Sequence, residues 1–333
     1  MTFGIIAALY WLLPLYHDEF YAPFWQLLEV ALPVFLLVAI PYFIVIDRYM
    51  SEPQDGYWHC GMAILGFGEQ VNRKVLGQYA LGWLVKAFFI PLMFMMYLKS
   101  YQYFLGVDFA EMMSSPVNTY TFFFEFTFLF DLLYACIGYV LTVRLLDTHI
   151  RSTEPTVKGW LVALMCYEPF WTITYGSYLA YDNDSFAWGL WLDDSPVLYS
   201  LWGGTIIALL MVYAASTMTF GLRFSNLTHR GILTNGPYRF CKHPAYVSKN
   251  ISWWLIAVPF IADGSALDVV RDCVLLLGVN AIYYLRARTE ERHLSWDPVY
   301  REYATLMNEK SIFRGLTKGL PFLRYEPQVR PRP

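Results

Sequence analysis

The segment Gly231–Trp254, GILTNGPYRFCKHPAYVSKNISWW, sets a Gly-Pro turn, the cations Arg239, Lys242 and Lys249, the tyrosines Tyr238 and Tyr246 and a His243-Pro244 step against the start of an apolar run. Charged side chains persist beside hydrocarbon only where something offsets their desolvation, so this density of donors calls for a polar ligand. A polar cofactor serving an apolar substrate suits such a place. Gly236-Pro237 is a turn signal and Pro244 fits the first turn of a helix, which predicts a turn at 235–237 and a helix entering the membrane from about residue 244. Lys242, Tyr246, Lys249 and Trp253, spaced by four, three and four, are then expected on one face, with His243 and Asn250 beside it. Interfacial Lys and Trp often serve only as snorkelling depth anchors. Anchoring does not require His, Lys, Asn and Tyr to gather on one side of a helix.

A second constellation is Arg286–Tyr303, RARTEERHLSWDPVYREY. On a helix Arg286, Glu290 and His293 form one stripe while Glu291 points elsewhere. Ionised carboxylates accept strong, charge-assisted bonds from hydroxyls or an ammonium. The competing reading is a solvated Arg-Glu pair of little consequence. Topology favours the first: a hairpin over 247–287 returns this end to the membrane face of the Gly-Pro-Tyr-Arg turn, so both groups can wall one pocket.

The elements that must position these residues follow from composition. At 57% hydrophobic, 19% aromatic and 15% charged, with mean hydropathy +0.37, the chain is expected to be an all-α, polytopic membrane helical bundle. Candidate spans are 22–46, 78–98, 119–143, 159–181, 197–220, 247–262 and 271–287. The last two are short and flank Asp263, Gly264, Ser265 and Asp268, the pattern of a C-terminal helical hairpin. The run Phe3–Tyr16 lacks a basic leader and a small-residue cleavage site, which suits an interfacial helix or a short eighth span better than a removed signal. The expectation is therefore 7–8 spans with a short helical tail.

Basic residues orient the bundle. Arg48, Arg73 and Lys74 lie in one connection, Arg144, Arg151 and Lys158 in the next but one, and Arg223, Arg230, Arg239 and Lys242 two further on. The connection 182–196 carries Asp182, Asp184, Asp193 and Asp194 without Lys or Arg. The Gly231–Lys242 loop and the basic tail after Tyr284 are thus expected to face the cytoplasm, and the net charge of −3 adds little. No nucleic-acid partner is indicated. Cys60, Cys136, Cys166, Cys241 and Cys273 form no CxxC pair, which argues against disulfides and a zinc site. P-loop, GxGxxG, GxSxG and HExxH patterns are absent, as are internal repeats.

The order LTHRGILTNGPYRFCKHPAYVS, hairpin, RARTEERHL, Tyr300, Glu302-Tyr303 and Gly319-Leu320-Pro321-Phe322 resembles the isoprenylcysteine carboxyl methyltransferase family and the related membrane phospholipid N-methyltransferases. The likeness covers about the last 110 residues and rests on the G-P-Y-R, R-H-P-x-Y and E-E-x-x-L elements recurring in order. It divides the chain into 1–220, spans of unassigned role, and 221–333, a methyltransferase-like region. It implies S-adenosylmethionine bound from the cytosol and a lipophilic or lipid-linked acceptor entering between helices among membrane lipids. Implied donor contacts are Gly236, Pro237, Tyr238, Arg239, His243, Pro244, Tyr246, Glu290, Tyr300 and Tyr303; implied catalytic groups are Lys242, Glu290 and Glu291.

Departures from the pattern bear on the acceptor. Lys242 stands where the family has arginine, keeping the charge but losing the bidentate fork. Ser248-Lys249-Asn250 replaces a glycine and apolar residues, and Asp297-Pro298-Val299 replaces a Gly-Glu-Glu-like turn. Lys242 and Lys249, about 10 Å apart along a helix, suit an anionic head group, with Asn250 and Trp253 as further acceptor contacts. A carboxylate or phosphate needs no general base, whereas an amine or hydroxyl would call on Glu290, Glu291 or His243, and the sequence leaves these open. The alternatives from other classes are a nicotinamide-dependent membrane reductase of the sterol-reductase type and a non-catalytic lipid-binding protein. Within the spans, a structural Lys86–Asp131 pair is the favoured reading of two intramembrane charges, and Glu168-Pro169 marks a helix break.

Overall fold

The computed structural model describes residues 2–183, 187–261 and 264–327, and its regular structure is almost wholly helical. Asp184 and Asp263, used in the sequence reading, lie outside the described residues. The N-terminal half contains α1 (Thr2–Leu12), α2 (Ala22–Tyr49), α3 (Gly56–Ile64), α4 (Arg73–Leu105), α5 (Phe109–Met112), α6 (Pro116–Val140), β1 (Ser152–Thr153), α7 (Val157–Leu164), α8 (Phe170–Tyr178) and α9 (Trp188–Trp191). There follow α10 (Pro196–Phe220), β2 (Thr228–His229), α11 (Pro244–Ala257), α12 (Ala266–Leu294), α13 (Pro298–Lys310) and α14 (Arg314–Gly319). Helix starts are written locally. Ser115-Pro116 and Ser195-Pro196 open α6 and α10, each serine accepting a bond from a backbone N–H of the first turn. Ser265 and Asp268 form a reciprocal capping box on α12, and Asp297 caps α13 ahead of Pro298.

Among the described residues four helices are long and apolar enough to cross a membrane, within Glu19–Tyr49, Arg73–Leu105, Pro116–Val140 and Pro196–Arg223. The expected span 159–181 is not one helix: it divides into α7 and α8, with Pro169, which lacks an N–H to continue a helix, at the start of the second. α12 runs two turns past the stretch 271–287 read as a span, carrying Glu290, Glu291 and His293 beyond it.

α10 lies between α6 and α11, α4 packs on the other side of α6, and α12 packs on α7 and α11. Val85, Phe89, Leu92, Leu132, Ala135 and Tyr139 form the core between α4 and α6, with the Phe89 and Tyr139 rings stacked 5.0 Å apart. α1 and the start of α2 close against α4 through Tyr10, Tyr16, Tyr21 and Phe24, whereas most of α2 exposes apolar side chains, as a lipid-facing helix does. β1 and β2 make a two-residue antiparallel ladder, Ser152 opposite His229 and Thr153 opposite Thr228.

Buried Arg230 fastens the exits of α6 and α10. Its Nε reaches Thr148 O at 2.6 Å, Nη1 reaches Gly138 O at 2.7 Å and Phe224 O at 2.8 Å, and Nη2 reaches Leu141 O at 3.0 Å and Leu222 O at 2.8 Å. Five donors meet five carbonyls, so a buried cation is satisfied without a carboxylate. Gly138 lets this approach happen, since a Cβ there would stand 2.4 Å from Phe224 O.

The Lys86–Asp131 pair does not form. Because α10 faces Asp131, that carboxylate accepts from Tyr213 Oη at 2.7 Å and Thr217 Oγ1 at 2.5 Å, while Lys86 Nζ lies 4.6 Å over the Trp83 ring. Tyr213 and Thr217 are one turn apart and meet the same carboxylate, which leaves Lys86 to its aromatic neighbour.

Candidate active site

Gly236 adopts φ +54° at the head of a short 3-10 turn, Gly236–Arg239, and a Cβ there would meet Thr219 Oγ1 at 2.6 Å. Both the conformation and the close approach to α10 require glycine. The turn leads to α11, which starts at Pro244 as expected. Lys242 and His243 therefore precede the helix and swing toward α12, while Tyr246, Lys249 and Trp253 lie along it.

Two carboxylates on α12 receive them differently. Tyr246 donates its hydroxyl to Glu290, whose other neighbours are Arg286 Nε at 3.5 Å and His243 Nδ1 at 4.0 Å. Glu291, 4% exposed, is held by Lys242 Nζ at 2.7 Å, His243 Nε2 at 3.2 Å and Arg288 Nη1 at 2.7 Å. Burial by itself would raise the Glu291 carboxyl, but the His243 hydrogen bond and the charges of His243 and Lys242 outweigh it and hold it at about 2. Glu291 is thus a buried anion that positions Lys242 and His243.

A cavity of ≈ 1220 Å³ opens in front of this arrangement. Tyr238, Lys242, His243, Tyr246, Glu290, His293, Tyr300 and Tyr303 line one end. From there it continues past Lys249, Trp253 and Asp131 into a corridor walled by Leu92, Met93, Phe124, Phe128 and Leu132. Lys249 Nζ sits 5.0 Å, 5.4 Å and 6.0 Å from the Tyr213, Trp253 and Tyr283 ring centres, a cation among aromatic faces at the junction of the two parts. The far end carries Asp18, Lys99 and Glu125.

Several expected contacts lie elsewhere. Gly236, Pro237, Arg239 and Pro244 shape the turn and the helix start without lining the cavity, and exposed Arg239 stacks on Phe240 at 4.9 Å. Asn250 faces α12, accepting from Asn280 at 2.6 Å and donating to Tyr246 O at 2.7 Å, because a step of one residue from Lys249 turns a side chain to the neighbouring helix. Glu291 stands behind the lining. Arg286, Glu290 and His293, the stripe read from helical spacing, all face the cavity.

Sequence reasoning missed the long-range supports. Asn226 donates to Tyr139 Oη at 2.6 Å and Tyr167 Oη at 2.8 Å and accepts from Arg286 Nη2 at 2.5 Å, so α6, the 165–169 break and α12 share one buried network. The only hint was Asn226 and Arg230 as polar residues just after a span. Tyr325 closes the same region from the tail, its hydroxyl 2.8 Å from Ser295 Oγ and its ring 5.5 Å from Lys242 Nζ.

Residues 201–296 match the model of the isoprenylcysteine carboxyl methyltransferase (ICMT) family. No curated protein and no solved structure matches the chain. The matched part contains α11, the hairpin and the Glu290-Glu291 pair, and it ends before α13. Together with the apolar helices, the match supports a membrane methyltransferase.

Proposed function

We propose that the protein transfers a methyl group from S-adenosylmethionine to a lipophilic, anionic acceptor, with the donor bound at the Tyr238–Tyr303 end of the cavity and the acceptor's apolar part in the corridor. The observation that carries this reading is the continuity of one cavity between a polar, aromatic end and an apolar corridor. Its volume exceeds that of a typical small-ligand pocket, leaving room for two ligands in contact.

The residues present fit the donor. Tyrosine faces stabilise a positive sulfonium, the Glu290 carboxylate complements its charge, and the buried Tyr300 hydroxyl, with no partner among the described residues, offers a hydrogen bond. When bound, the sulfonium supplies an already activated methyl group. The chain's own contribution is positioning and desolvation: Lys242 and His243, braced by Glu291, hold the donor side, while Lys249 holds the acceptor anion. Transfer to an anionic acceptor oxygen would cancel one negative charge and the positive charge of the sulfonium. Water exclusion favours that loss of charge, and no side chain needs to take a proton.

The donor end faces the cytoplasm in this reading, on the side of Arg144, Arg151 and Arg223. Calorimetry on purified, folded protein tests it: Glu290→Ala and His243→Ala should each weaken binding of S-adenosylmethionine or S-adenosylhomocysteine. Unchanged binding in both variants would remove the site assignment, and binding of NADPH instead would indicate a reductase.

A further inference from the structure

We infer that His293, fixed by Ser152 of β1, forms the nucleoside subsite of the donor pocket; this rests on the methyl-donor reading above. Neither residue follows from the family elements: His293 occupies a variable place in E-E-x-x-L, and Ser152 lies outside the matched residues 201–296.

His293 is 5% exposed and lines the cavity one turn beyond Glu290, about 5 Å further along α12. Its Nε2 lies 2.9 Å from Ser152 Oγ, a contact across 141 residues. The partner strand is itself held. Arg151 N donates to His229 O at 2.9 Å, Glu154 N donates to Leu227 O at 2.8 Å, and Arg292 of α12 reaches Glu154 Oε1 at 2.8 Å and Thr156 Oγ1 at 2.5 Å. The Trp296 ring, 5.2 Å from the imidazole at 78°, packs against it. With Nε2 engaged, Nδ1 has no hydrogen-bond partner among the described residues.

Burial, with lesser contributions from His229 and Arg292, holds this imidazole at about 3, so at physiological pH it is neutral. A neutral ring presents one donor and one acceptor, suited to an uncharged ligand group. The cavity lining also holds Ile232, Leu233 and Leu294, which carry no charge, and Glu154 and Arg230, whose charges are engaged by Arg292 and by backbone carbonyls. The charged cavity residues of α12, Arg286 and Glu290, lie about two turns and one turn before His293 along the helix. A donor made of a zwitterionic amino acid and a neutral heteroaromatic nucleoside sorts accordingly: the amino acid and sulfonium by Glu290 and Arg286, the nucleoside by His293.

Two ligands separate the parts: S-adenosylhomocysteine, and 5′-methylthioadenosine, which keeps the nucleoside and lacks the amino acid. In calorimetry on the full chain, His293→Ala should weaken both by a similar factor of about 10, and Ser152→Ala should weaken both by a smaller factor. Glu290→Ala should weaken S-adenosylhomocysteine far more than the truncated ligand. Wild-type affinities for both ligands in His293→Ala, or a loss confined to S-adenosylhomocysteine, would overturn the subsite. If His293→Ala does not fold, His293→Asn, which keeps a donor and an acceptor, is measured against His293→Leu, and equal affinities in those two would overturn it equally. Wild-type protein binding neither ligand would instead sink the methyl-donor reading itself.

Discussion

Glu291→Gln keeps the shape of a buried side chain and removes its charge, leaving Lys242 and His243 without the anion between them. The Lys242–Glu291 pair lies at 2.7 Å with side chains 13% and 5% exposed, so its loss counts as breaking a buried ion pair, at a cost of about 3–5 kcal/mol. Lys242→Met should cost less, because Glu291 retains His243 and Arg288. In the double variant the uncompensated cation is gone, and a coupling of about 1–3 kcal/mol should appear. Equilibrium unfolding in mixed micelles, followed by tryptophan fluorescence, measures all three. The pH dependence has a definite sign. The Glu291 carboxyl is lowered on folding from 4.5 to about 2, so its stabilisation is complete above pH 4.5 and is lost as pH falls toward 2. That shift corresponds to about 3 kcal/mol, on the scale of the pair-breaking cost. Glu291→Gln should therefore have a flatter acid limb than wild type. A variant within about 1 kcal/mol of wild type, with an unchanged acid limb, would refute the view of Glu291 as the anion that braces the site.

Lys249→Met should raise the KM for an anionic lipid acceptor while leaving S-adenosylhomocysteine affinity intact; equal turnover parameters would return Lys249 to membrane anchoring. Cysteines at the exposed positions 235 and 315 should react with an impermeant thiol reagent from the cytoplasmic side and one at exposed 193 from the opposite side, and labelling of 193 and 235 from one side would break the orientation. Gly138→Ala should lower stability by about 1–3 kcal/mol in the same unfolding assay, because its Cβ meets a backbone oxygen held by Arg230; a neutral result would mean that α6 and the 222–224 turn can separate at little cost.

What the sequence made legible was local. The Gly236-Pro237 turn, the start of α11 at Pro244 and the Arg286–Glu290–His293 face each depend on conformational preference or helical period within a few residues. Pairings between distant segments were not legible, because no spacing rule joins Ser152 to His293, or Arg230 to carbonyls near 138 and 148. The expected Lys86–Asp131 pair failed for the same reason: it assumed which helix faces Asp131, and α10 supplies hydroxyls there instead. Asn250 shows the limit of a face drawn from spacing alone, since its neighbour Lys249 meets the cavity while Asn250 meets Asn280.

The continuity of the cavity bears on the order of events in turnover. On the proposed methyl-transfer reading, a water-soluble donor and a membrane-held acceptor meeting in one space need not share a doorway, so spent donor would leave and fresh donor arrive while the lipid stays seated. Initial rates measured against both substrates would then give intersecting lines, the signature of a ternary complex, and an acceptor with more than one methylatable atom could be modified repeatedly in a single residence.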